Sequence, residues 1–121
     1  MTRAMKGAAR RQARKKVLKA AKGFWGGRSK LYRKAKETLL RAGAYAYRDR
    51  RARKRTIRSL WIVRIHAAAV QRGLSYSQFM GGLAKAGLDI NRKLLADMAI
   101  NDAKGFDQLV QTASAASANV S

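Results

Sequence analysis

The chain has 121 residues, with 28 Lys and Arg against 6 Asp and Glu, a formal net charge of +22, and neither proline nor cysteine. A positive surface of that density is tolerated beside a polyanion, nucleic acid or an anionic membrane being the usual ones, while the absence of cysteine excludes disulfides and thiolate metal sites. A membrane partner is not expected, since no run approaches the roughly 18 apolar residues that span a bilayer and no apolar signal-peptide core follows the basic start.

In chain order, everything with a period reads as helix, because β-branched residues never alternate with polar ones for long. The opening is Arg-rich and acid-free like an organelle import sequence, but the same pattern continues past any plausible cleavage point, so an internal, cytoplasmic protein is expected. A first helix near residues 10–22 stops at Gly23, and the glycines of GFWGG permit backbone conformations that a helix interior does not. Ser29 then offers a cap for a long helix from residue 30 to 72, with Gly43 its only breaker. Beyond Gly73, Ser75 and Gln78 have capping-box spacing before Phe79, Met80 and Leu83. Asn91 caps a segment that places Leu94, Leu95 and Met98 on one side. Phe106, Leu109 and Val110 mark a last helix, and the small polar tail SAASANVS is expected to fray.

The fold class is therefore all-α. Residues 1–60 hold 22 basic and 2 acidic side chains, and residues 61–121 hold 6 basic and 4 acidic. That contrast divides the chain into an extended basic arm, residues 1–58, with helices interrupted near 23–28, and a small helical domain, residues 59–121. The domain's core would combine the end of the long helix (Leu60, Trp61, Ile65, Ala68, Ala69) with three short helices, about 60 residues and near the lower limit for independent folding.

The stretch YRDRRARKRTIR, residues 47–58, concentrates the charge. On a helical wheel its basic residues Arg48, Arg50, Arg51, Arg53, Lys54, Arg55 and Arg58 cover an arc of about 220°, leaving no apolar stripe of the roughly 100° that a surface helix offers its core. Like charges meet at i,i+3 or i,i+4 in seven pairs, each costing roughly 0.2–0.5 kcal/mol, and Asp49 with Arg53 relieves only part of that. A solvated charged face normally mixes both signs. The absent partner is thus expected to be a polyanion whose phosphates flank the helix.

Aromatic residues interleave with these cations. Phe24 and Trp25 lie between Lys22 and Arg28, Tyr32 adjoins Arg33, and Tyr45 and Tyr47 precede Arg48, a pattern suited to stacking on exposed bases. The ordinary alternative is packing against neighbouring turns, which is the expectation for Trp61. The basic residues of the first helix, Arg10, Arg11, Arg14, Lys15, Lys16 and Lys19, belong to the same expected interface. In the second half, Arg64, Arg72 and the turn of Ser75, Tyr76 and Ser77 are expected to add RNA affinity, the helix N-terminus there offering backbone amides. Enzyme readings lack parts. His66 is the only histidine and the six acids are scattered, so no triad or metal cluster assembles; His66 reads as a phosphate or ribose partner near Arg64, or as a plain surface residue. No cofactor and no small-molecule substrate is expected.

The segments KGFWGGRSKLYRKAKETLLRAGAYAYRDR, AYRDRRARKR, LWIVRIHAAA and GLSYSQFMGGLAKAGLDINRKLLADMA together resemble the L-twenty family of bacterial large-subunit ribosomal proteins. The likeness runs from about residue 10 to residue 110, and YRDRRxRKR followed by LWIxRI is specific to it. The resemblance implies a ribosome-bound protein whose arm threads large-subunit ribosomal RNA, with contacts at residues 22–33 (Ser29 and Lys30 among them), 47–58, Arg64 and 75–77. It also implies neighbouring large-subunit proteins, a role early in subunit assembly and, in some members, repression of the operon through its own messenger RNA. The chain departs from the pattern in TRAMKG and at His66, where such members usually carry Asn. The competing reading is a nucleoid-type protein that coats duplex DNA. A long stripe-free helix with interleaved aromatics, joined to a nearly neutral domain, suits folded RNA better than a regular groove.

Overall fold

The computed structural model describes residues 7–119. Five α-helices and one short 3-10 turn make up the secondary structure of these residues, which is the all-α class expected from the sequence. The expected contacts of the first six residues, and the last two residues of the tail, lie outside the described residues.

The chain divides into two compact units, Met1–Arg51 and Ala52–Ser121. In the first, α1 covers Ala8–Ala20 and is followed by the 3-10 turn Gly26–Arg28. Gly23 and Gly26 on either side of Trp25 have φ of 92° and 58°, conformations that a side chain would strain. The long helix α2 spans Tyr32–Val70, 39 residues, starting two residues later than the sequence suggests. The Ser29 hydroxyl donates to Gly26 O at 3.0 Å, closing the 3-10 turn, so it does not cap α2; the first carbonyl in the new ladder is that of Leu31, which accepts from Ala35 N at 2.8 Å. Gly43 lies within α2 and breaks nothing. Ala21 and Ala35 are fully buried in this unit.

The second unit holds the end of α2, then α3 (Tyr76–Lys85), α4 (Arg92–Asn101) and α5 (Ala103–Ala118). Helix α2 ends at a left-handed Gly73, φ 85°, with Leu74 N–H reaching back to Ala69 O; Gly87 and Leu88 end α3 in the same way. Both are Schellman ends, in which the apolar residue after the glycine turns back toward the helix it terminates. The capping box of Ser75 and Gln78 forms in both directions, at 3.0 and 3.3 Å, and Asn91 Oδ1 accepts from Leu94 N at 2.9 Å.

Ile65, Ala68 and Ala69 from α2 join Phe79, Leu83, Leu95, Ala96, Phe106, Val110 and Ala113 in one core, with the Phe79 and Phe106 rings 5.0 Å apart. Trp61 packs against its edge, as expected. Leu60 and Leu94 do not: they are about half exposed, because α4 turns Leu95 and Ala96 inward and α2 turns Ile65. Helix α5 continues through residues 114–118, the segment expected to fray, where alanines supply high helix propensity.

Candidate nucleic-acid interface

On α1 the side chains of Arg10, Arg11, Arg14, Lys15, Lys16 and Lys19 are all exposed, and no residue of this helix is buried. Lys22, Arg28 and Lys30 are exposed in the connection, Phe24 is half-buried, and Trp25 stands 92% exposed between the two left-handed glycines. An indole held so far from protein is free to meet a flat ligand face.

On α2 every basic residue of the 47–58 stretch is exposed, so the cations remain available to an outside anion. The aromatic rings are already partnered within the unit. Arg48 lies over Tyr45 at 4.6 Å, Arg51 over Tyr47 at 4.7 Å, and Arg14 over Tyr32 at 5.8 Å. The first two are i,i+3 and i,i+4 neighbours on one helix and orient guanidinium planes that would otherwise only repel. Asp49 pairs with Arg48 at 3.1 Å, both more than half exposed, in place of the expected Arg53.

A second feature belongs to the first unit and shares Tyr45 with these contacts. Lys34, Thr38, Arg41 and Tyr45 recur at helical spacing along one face of α2, and with Arg28, Glu37 and Ala42 they line a cleft of about 430 Å³. Three cations surround it, balanced by a single carboxylate. Charge-run reasoning passes over Lys34 and Arg41 because they are separated in sequence; the i, i+4, i+7, i+11 spacing is the signal that brings them together.

In the second unit the expected residues behave differently. Arg64 and His66 are both exposed, but two residues on a helix point about 200° apart, so they do not form one contact. Arg72 is committed to the domain. Its Nε donates to Asp107 Oδ1, its Nη1 donates to Ala68 O at 2.9 Å, and its guanidinium lies 4.9 Å from the Phe106 ring. Tyr76 is half-buried, its hydroxyl accepting from Arg92 Nε at 2.8 Å, and the Ser75 hydroxyl is used in the capping box. Of that turn, Ser77 is exposed without a structural task shown by these bonds.

The comparisons agree on a family. Residues 3–109 match the profile described as "Ribosomal protein L20". A protein of Rhodopirellula baltica named "Large ribosomal subunit protein bL20" is 61% identical over 107 residues, 88% of this chain and 91% of the relative. Relatives of the same name from Pelotomaculum thermopropionicum and Carboxydothermus hydrogenoformans are 56% and 55% identical, over 95% and 93% of this chain and 98% and 97% of theirs. The chain belongs to the ribosomal protein L20 family.

Its members are structural components of the ribosome and not enzymes, and the electrostatics of this L20-family chain suit that role. Among the described residues no group of three or more His, Asp or Glu is placed to hold a metal ion, and no helix is long and apolar enough to cross a membrane. What the side chains of the first unit offer is a set of exposed cations, one bare indole and tyrosines stacked beneath guanidinium groups.

Proposed function

We propose that the chain is a constituent of the large ribosomal subunit that binds its ribosomal RNA through residues 1–58 as an RNA-threading arm, with residues 59–121 folding as a separate helical domain at the RNA surface. The observation that carries the reading is the exposed seven-cation stretch of α2, which has no apolar stripe and one acid. Such a helix gains a partner when phosphates flank it on more than one side. Trp25 and the tyrosines would add stacking to unpaired bases. Neighbouring large-subunit proteins are the further partners, and the ribosome-bound cytoplasmic pool is the expected location. Neutralising RNA phosphates lets distant RNA segments approach one another, so a role early in subunit assembly follows from the same chemistry, as does repression through a messenger RNA that presents the same fold.

The test is sedimentation of cell extract after a high-salt wash, followed by depletion of the protein. Retention with large subunits, and accumulation of incomplete large-subunit particles on depletion, support the reading. Release into the soluble or chromosomal fraction at that salt points to the duplex-DNA alternative.

A further inference from the structure

A second cleft, within the second unit, joins three cations of the 47–58 stretch to an apolar wall and a fourth cation that the interface described above does not use. It measures about 530 Å³ and is lined by Lys54, Arg55, Ile57, Arg58, Trp61 and Lys93, a size within the roughly 300–1,000 Å³ typical of small-ligand clefts. Trp61 packs against the core on one side and opens to the cleft on the other. Ile57 lies one helical turn before it and is 36% exposed. Around these two apolar groups stand four cations, three from α2 and Lys93 from the first turn of α4, and no acid is among the lining residues.

An occupant matched to this lining has a flat apolar body with negative charge at more than one point on its edge. A nucleotide within a strand has that form: a base with a phosphate on either side. A base stacked inside a duplex does not expose its face, so the occupant must be unstacked, as in a bulge or loop. Acidic protein segments supply the charge, but Asp and Glu carry no flat surface for the indole. We propose that this cleft holds one extruded RNA base, lying against Trp61 and Ile57, with its flanking phosphates on Arg58 and Lys93. The proposal rests on the RNA-binding reading above and adds to it a base-selective slot in the second unit.

The experiment uses the full chain carrying Trp25→Phe, which leaves Trp61 as the sole tryptophan of the two. Three RNA hairpins are titrated at a salt concentration that suppresses non-specific binding: one with a single bulged adenosine, one with an abasic residue in the bulge, and one fully paired. Stacking of one base corresponds to a roughly 5- to 150-fold gain in affinity, so the bulged hairpin should exceed the abasic one by that ratio and should alone quench Trp61 emission. Trp61→Leu should bring the ratio near one. Because Trp61 also touches the core, Ile57→Ser, outside the core, serves as the second variant and should narrow the ratio several-fold with the melting temperature retained. Equal affinities with unchanged emission for all three hairpins, or failure of the bulged hairpin to bind, would overturn the slot; the RNA-binding reading itself is decided separately, by the sedimentation and depletion test above. Quenching by polyglutamate under conditions where the bulged hairpin leaves Trp61 unaffected would assign the cleft to an acidic protein segment instead.

Discussion

At Gly82 the packing of α3 against α5 leaves no room for a methyl group. A Cβ there would lie 2.5 Å from the carbonyl oxygen of Ala113 and 2.8 Å from its Cβ, and neither backbone nor alanine can rotate away. Gly82→Ala should therefore destabilise the second unit by about 1–3 kcal/mol, the usual range for overpacking, and lower its melting temperature by several degrees in calorimetry; an unchanged transition would mean that the two helices separate freely. Arg72 makes a different point. With its ion pair, its carbonyl bond and its ring contact all internal, Arg72→Ala should cost about 1–2 kcal/mol of stability. The same substitution should leave the salt dependence of RNA binding unaltered, because no phosphate contact is lost. A flatter slope with normal stability would return Arg72 to the RNA surface. Its role could not be read from sequence because the deciding partner, Asp107, lies 35 residues away.

Helix α2 through residues 47–58 shows how opposing local effects balance. Seven like-charge pairs cost about 1.5–3.5 kcal/mol in total, and the two guanidinium–tyrosine contacts return roughly 0.5–1 kcal/mol each at exposed positions. The remainder is Coulombic and therefore screened by salt. A peptide covering residues 44–60 should gain helicity, by circular dichroism, as salt rises toward 1 M, whereas a helix held by i,i+4 ion pairs would lose it. The elements were legible in the sequence where their determinants are local: the capping box at Ser75 and Gln78, the Asn91 cap and the stop at Gly73 depend on spacings of three or four residues. Ser29 was not, since its hydroxyl can close a 3-10 turn or cap a helix and the backbone of the glycine loop decides. Nor was the inward choice of Leu95 and Ala96 over Leu94, because α4 has more than one apolar stripe and only packing against α5 selects between them. The contiguous cations of the candidate interface were equally plain, but the cleft of Lys34, Arg41 and Tyr45 was not, being scattered over three helical turns.

For the molecule as a whole, the question is whether the charge held almost entirely by its first half is what fixes it to RNA. Phosphate contacts release counterions, and each one lost flattens the slope of log affinity against log salt by roughly 0.7–0.9. Replacing Arg50, Arg53 and Lys54 together with Ala should reduce that slope by about 2–3 units if all three touch phosphate. The same substitutions remove four of the seven repulsive pairs, those of Arg50 with Arg53, Arg50 with Lys54, Arg51 with Lys54 and Lys54 with Arg58, so α2 of the free protein should become more helical. The two effects have opposite signs, and that separates binding from folding. A loss of affinity caused by a damaged helix would come with reduced helicity; a loss caused by missing phosphate contacts comes with increased helicity and a flatter slope. The measurement is a salt titration of the triple variant against a large-subunit ribosomal RNA fragment, with circular dichroism of the free protein alongside. Unchanged affinity and slope together with a gain in helicity would show that these three side chains face water in the ribosome, and the phosphate contacts would then have to be sought on α1 and in the cleft around Arg41.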